Sequence, residues 1–227
     1  LLFIPLGIAL AYGDGDSLAF LITIILMMPI ALVLKKMNIE GKEMYAKEGF
    51  LTVGLTWIVI SALGALPFVI SGAIPSFIDA FFETVSGFTT TGATILAEIE
   101  SLPRGILFWR SFTHWIGGMG FLIFILALVP SLGSNTIYLL RAESPGPNPG
   151  KIVPKISETA KILYIIYLIL TIVQTILLMM AGLSAYDAII HALGTAGTGG
   201  FSNMNTSVAA FSSPSVAWII TIFMILF

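Results

Sequence analysis

No cysteine occurs in this chain, and it has only two histidines. Disulfides and thiolate metal sites are therefore excluded, and a typical zinc site cannot be assembled. Charge is scarce as well: Asp, Glu, Lys and Arg together supply 10% of the residues, with a formal net charge of −2. No basic surface is available to attract nucleic acid. The signatures H-E-x-x-H, G-x-S-x-G and G-x-x-x-x-G-K-[ST] are all missing, so an enzyme reading finds no support and no cofactor is expected. Apolar residues dominate instead, at 57% of the chain, with a mean hydropathy of +1.02. Such values lie outside the soluble globular range and imply an all-α integral membrane protein.

The apolar runs set the organisation. Residues 1–11 read as the end of a helix, 12–17 as a polar hairpin tip holding Asp14 and Asp16, and 18–34 as a span. Further spans are expected over 50–72, where Pro67 can kink the helix, over 104–130 and over 160–182, and Pro214 opens a last helix. The sequence begins at Leu1 and ends at Phe227 inside apolar runs, which suggests a fragment cut at both ends. Four parts follow: an N-terminal hairpin and connection (1–48), a first repeat (49–130), a second connection (131–160) and a second, truncated repeat (161–227). Lys35, Lys36, Lys42 and Lys47 lie in one connection, and Arg141, Lys151, Lys155 and Lys161 in or beside the other. The positive-inside rule places both in the cytoplasm. The opposite side carries Asp14, Asp16, Asp79, Glu83, Glu98, Glu100 and Asp187 against Arg104 and Arg110, an excess of negative charge that concentrates cations.

Between spans lie two related stretches, DAFFETVSGFTTTGAT from Asp79 to Thr94 and DAIIHALGTAGTGGFS from Asp187 to Ser202. The first opens with a helix predicted over 79–88 and capped by Asp79, about 15 Å long and half of a ~30 Å hydrocarbon layer. Three successive threonines then resist a helix, while Gly92 permits a positive φ. Non-helical backbone at membrane depth must be buried in protein or line water, and a row of carbonyls beside water is a site for a partly dehydrated cation. The second stretch aligns by its Asp-Ala start and its Thr-Gly dipeptide, pairing Thr91-Gly92 with Thr198-Gly199 with one residue fewer. The candidate filter residues are Thr90, Thr91, Gly92, Gly197, Thr198 and Gly199, acting through backbone carbonyls. A metal is expected there only as the passing ion.

Candidate supports lie behind the filter. Glu83 and His191 each fall four residues after an aspartate, Asp79 or Asp187, and can tune the filter or bond to neighbouring loops. Arg110 is expected to hold a pore loop through Glu98, Glu100 or Glu83, with His114 four residues along the same helix face. Gly117, Gly118 and Gly120 clear side chains from one helix patch, chiefly for close packing and, as a sharper idea, as a hinge.

Together, GFTTTGAT (87–94), WRSFTHWIGGMG (109–120) and GTGGFS (197–202) resemble the Trk/Ktr/HKT superfamily of potassium transporters, most closely the TrkH type. The resemblance covers nearly the whole chain. It implies pore-loop repeats of the potassium-channel kind, two of the four found in the family. It further implies potassium uptake across a bacterial or archaeal inner membrane through a carbonyl filter with one key glycine per loop, here Gly92 and Gly199. The partners it implies are potassium ions, the lipid bilayer, the remaining two repeats or a second copy, a homodimer mate and a cytosolic nucleotide-binding regulatory subunit. An ion-coupled secondary transporter and a non-transporting scaffold or sensor subunit are the alternatives.

Overall fold

Uninterrupted apolar sequence of about 20 residues favours helices, because a helix satisfies its own backbone where no water is available. A computed structural model describes residues 1–36, 46–120 and 156–227, which are helical, with no strand among the described residues. Residues 37–45 and 121–155, with Lys42, Arg141, Lys151 and Lys155 of the expected positive charge, lie outside the described residues, as does 121–130 of the helix predicted from 104.

Helix α1 (Phe3–Tyr12) stops at Gly13, whose φ of 71° reverses the chain while its N–H bonds to the Ala9 carbonyl at 3.0 Å. A short turn leads into α2 (Ser17–Lys36). The span expected over 50–72 is two helices, α3 (Ala46–Gly64) and α4 (Leu66–Ile70), broken at Ala65 with Pro67 in the first turn of α4. The break diverts the Phe68 amide to the Ala65 carbonyl, and the Gly64 carbonyl instead takes the indole N–H of Trp109 at 2.9 Å. Then come α5 (Phe77–Phe88), α6 (Arg104–Gly118), α7 (Ile156–Met180), α8 (Ala185–Ala196), a 3-10 turn (Ser207–Ala210) and α9 (Pro214–Leu226). Among the described residues three stretches, Ser17–Leu34, Leu51–Ile70 and Lys161–Met180, are long and apolar enough to cross a membrane. Their outward faces leave Leu21, Ile25, Leu55, Ile58, Ile169 and Ile172 exposed, as lipid-facing positions require.

Helix α5 packs between α3 and α6, and α8 packs against α6, α7 and α9, so α6 is common to both groups. It also lies against α1, and it is buried from Gly105 to His114. The main core gathers Phe20, Phe68, Phe88, Ile106, Trp109, Phe112 and Ile190 around it.

The 12–17 stretch is a turn between α1 and α2, as expected, and the start of α6 gives it a further role. No side chain of its own caps α6. Asp14 accepts the Arg104 amide at 3.1 Å, and Asp16 accepts the Ile106 amide at 3.0 Å. The α1–α2 turn thus supplies a cap from about 90 residues upstream. Burial holds the Asp16 carboxyl above the usual carboxylate range, against the lowering effect of the amides that bond to it. Gly105 leaves room for the cap, since a side chain there would meet the Asp16 carboxylate and the Ala9 methyl. Asp16→Ala is expected to destabilise the protein by about 1 kcal/mol, the usual worth of an N-cap acceptor, and Asp16→Asn by less. Thermal unfolding of the detergent-solubilised protein measures both.

Candidate functional site

The two related stretches fold alike. Each short helix is capped by a serine three residues ahead of the aspartate: Ser76 Oγ accepts the Asp79 amide at 3.4 Å, and Ser184 Oγ the Asp187 amide at 3.1 Å. Asp79 is therefore a first-turn residue and not the cap, placed where a carboxylate complements the helix dipole. The helix begins at Phe77, two residues before the predicted start. Both helices have 12 residues, about 18 Å of rise.

After the helices the backbones keep step. Thr90 and Thr198 both have φ of 55°, Gly92 has 75° and Gly200 has 79°. The Thr90 amide bonds to the Gly87 carbonyl at 3.1 Å, and the Thr198 amide to the Thr195 carbonyl at 2.8 Å. The register is a constant 108 residues (76 to 184, 90 to 198, 92 to 200), with no deletion in the second copy. This corrects the pairing of Gly92 with Gly199: the glycine that matches Gly92 in conformation is Gly200. It also removes an apparent mismatch, since Ala196 ends α8 as Phe88 ends α5, and a threonine stands at the same position in both loops. A β-branched residue at positive φ is sterically costly, roughly 1–3 kcal/mol each, and such strain concentrates at functional sites. The loops touch, backbone against backbone: a Cβ on Gly92 would fall on the Gly199 carbonyl, and one on Gly199 would come within 2.9 Å of the Thr90 carbonyl oxygen. Thr89, Thr91, Thr198 and Gly200 keep an exposed edge, while Gly197 and Phe201 are buried.

Support from behind is repeated too. Glu83 accepts the Thr94 hydroxyl at 2.8 Å and the Ile95 amide at 3.1 Å. His191, 108 residues after Glu83, faces Ser202, 108 after Thr94, at 3.0 Å. The Asp187 carbonyl, 2.8 Å from His191 Nδ1, is only an acceptor, so Nδ1 carries a proton and Nε2 is the atom that meets the Ser202 hydroxyl. Thr94 and Ser202 in turn accept the amides of Leu96 and Met204. Thr94 and Ser202 are absent from the sequence-based set, although the constant spacing of 108 would have marked them.

Arg110 joins the two halves. Its Nε meets Glu83 Oε1 at 2.6 Å, an Nη donates to the Ser202 carbonyl at 2.8 Å, and the guanidinium lies 3.6 Å from the centre of the Phe201 ring. Of the three acids expected as partners, the structure selects Glu83. Glu100 instead accepts the Asn205 amide at 3.1 Å. Arg110 and Glu83 are almost wholly buried.

Close approach explains the glycines of α6 and its neighbours. A Cβ on Gly117 would strike the Phe88 carbonyl, one on Gly118 would come within 2.9 Å of Gly197 Cα, and one on Gly87 would meet the Thr113 side chain. The helix ends at Gly118, and Gly120, at φ 68°, redirects the chain. Beside this turn lies a cavity of about 630 Å³ whose walls include Thr89, Thr90, Gly118, Tyr167 and Thr198.

Removing one member of a buried pair strands the other charge. Arg110→Ala and Glu83→Ala are each expected to cost about 3–5 kcal/mol, and the double variant less than their sum. A double-mutant cycle on thermal unfolding checks this, and strict additivity would contradict the pairing.

Comparison with known proteins places this geometry. The family model described as TrkH, cation transport protein, matches residues 17–226. The Trk system potassium uptake protein TrkH of Escherichia coli K12 is 44% identical over 228 residues, covering 99% of this chain and 47% of that protein. The protein of the same name from Vibrio parahaemolyticus is 40% identical over 98% of this chain and 46% of its own length. The crystal structure of the potassium transporter TrkH from Vibrio parahaemolyticus superposes with a TM-score of 0.80 at 35% identity, covering 99% of this chain and 45% of that one. The chain thus spans about half the length of the relatives it matches, and it belongs to the TrkH family of cation transport proteins.

Proposed function

We propose that this chain supplies part of a potassium uptake pathway across the cell's inner membrane, with the loops after α5 and α8 as two segments of one selectivity filter. The observation that carries this reading is their shared backbone: a strained threonine, then a glycine, in register and in mutual contact. Thr90, Thr91, Gly92, Gly197, Thr198 and Gly199 are the filter residues, and Gly200 joins them as the partner of Gly92. Carbonyl oxygens replace part of the ion's hydration shell, with threonine hydroxyls as further ligands. The negative ends of α5 and α8 both lead into the loops and favour a cation there. Asp79, Glu83, Asp187, His191 and Arg110 hold the loops from behind.

Two segments cannot encircle an axis, so further repeats or a second copy complete the ring. Both loops open to the outer side, with the connections at 35–48 and 131–160 in the cytoplasm, and the cavity beside Gly118 is the inner vestibule. Gly117 and Gly118 let α6 press on the loop backbones, and Gly120 gives the chain a place to bend. A homodimer served by a cytosolic nucleotide-binding regulatory subunit is the assembly that family membership favours.

Both key glycines sit at positive φ, where a side chain is strained by about 1–2 kcal/mol. In the intact transporter, Gly92→Ser and Gly200→Ser are each expected to lower rubidium influx into vesicles and to weaken its preference over sodium. Unchanged influx and preference in both would overturn the filter reading and favour a scaffold role.

A further inference from the structure

The constant register places Gly197 and Gly199 of the second loop opposite Thr89 and Thr91 of the first. In the first loop those side chains fill the space beside the backbone, with their hydroxyls 2.8 Å apart. In the second loop both positions are bare. The room that a side chain on Gly199 would take is occupied by the imidazole of His114, reaching across from α6: a Cβ there would coincide with Nε2 and Cδ2 of that ring. Gly197 lies against the same residue, since its Cβ would come to 3.1 Å from His114 Cβ.

The ring is fully buried, its centre 3.9 Å from that of Phe201 in an edge-on contact. Among the described residues neither ring nitrogen makes a hydrogen bond of full geometry, the nearest acceptor being the Arg110 backbone carbonyl one turn back. A buried polar group normally has a well-formed partner, and at most a weak one to its own helix backbone is present here. What the ring does make is contact, wedged between Phe201 and Gly199 at the edge where the second loop meets Thr90 of the first.

We propose that His114 is a positioning residue for ion selectivity, acting as a side chain lent by α6 to the second loop and fixing the spacing of that loop against the first. The inference rests on the filter reading above. A close-packed wall transmits small displacements, because interiors at crystal-like density do not give. Removing the wall lets Gly199 retreat, and the carbonyls that flank it then hold ions of different radius less selectively. Phe201 closes the other side of the ring, with Arg110 stacked on Phe201 in turn, so the wedge is itself backed by the brace between the loops.

The test measures initial rubidium and sodium influx into vesicles for His114→Ala, His114→Leu, Gly199→Ala and His114→Ala/Gly199→Ala in the intact transporter, beside Gly92→Ser. His114→Ala is expected to keep rubidium influx while the rubidium-over-sodium ratio falls by about tenfold, a loss of differential affinity. His114→Leu restores bulk without nitrogens and is expected to recover most of that loss. Gly199→Ala drives a methyl into the ring and is expected to abolish influx. The double variant removes the ring from the methyl's path while the Thr90 carbonyl still lies within 2.9 Å of it, so part of the influx is expected to return, which a general loss of folding would not allow. An unaltered ratio in His114→Ala, or a ratio in His114→Leu as low as in His114→Ala, would each overturn the proposal. Selectivity lost in Gly92→Ser but kept in His114→Ala overturns the wedge and leaves the filter standing. Selectivity kept in both removes the filter reading as well.

Discussion

A guanidinium buried beside a carboxylate governs how the two halves meet. Desolvating Arg110 and Glu83 is costly, and the cost is offset only by contacts that use most of their hydrogen-bonding capacity. Glu83 spends its oxygens on Arg110, the Thr94 hydroxyl and the Ile95 amide, while Arg110 adds the Ser202 carbonyl. Five chain segments therefore hang on one pair: α5, the extended segment after the first loop, α6, the segment after the second loop and, through Ser202 and His191, α8. The same pair answers the main difficulty of irregular backbone in an apolar setting, which is finding partners for groups that no helix satisfies.

Such a brace works only if α6 can come close to both loops. Gly117 against the Phe88 carbonyl, Gly118 against Gly197, and Gly87 against Thr113 are contacts in which a methyl group would displace the backbone. Each glycine costs helix propensity, about 1 kcal/mol relative to alanine. Here that cost is the condition for placing a polar helix face within hydrogen-bonding reach of two loops. Packing and polar bracing on α6 are thus one design, set by the same four-residue spacing from Arg110 to His114 to Gly118.

Much of this was legible in the sequence, and what was not has physical reasons. Apolar runs located the spans at 18–34, 50–72 and 160–182, and repeated Asp-Ala starts located both short helices, because both signals are local, whereas the helix expected over 104–130 stops at Gly118. The loop register was misread because Thr-Gly occurs at 91–92 and again at 198–199, while the feature that sets register is a pattern of φ. The second loop has consecutive glycines, Gly199 and Gly200, and letters alone do not say which one turns left-handed. The roles of Asp14 and Asp16 were out of reach for another reason: they cap a helix 90 residues away, and only folding reveals that its first amides lack nearer acceptors. For Arg110, the choice among Glu83, Glu98 and Glu100 depended on which acid is buried. Glu83 is enclosed between α5 and α6, while Glu98 and Glu100 remain at the surface.

The repeat itself has a limit that bears on how the halves cooperate. Helices α5 and α8 and their loops match residue by residue, but the helices that follow do not. Helix α9, PSVAWIITIFMIL, contains no arginine, histidine or glycine, and so has none of the groups with which α6 braces the loops. Its Trp218 and Ile225 are 68% and 81% exposed, whereas Arg110 and His114 on α6 are buried. Among the described residues, bracing for both loops is therefore concentrated on α6. A displacement of α6 is felt at Phe88, Glu83, Gly197, Gly199 and Ser202 at once, because each is in direct contact with it. A displacement of α9 reaches the loops less directly, through α8 and α7, against which it packs. Duplication accounts for the likeness of the loops, and the unequal helices beside them make α6 the element through which their spacing is set.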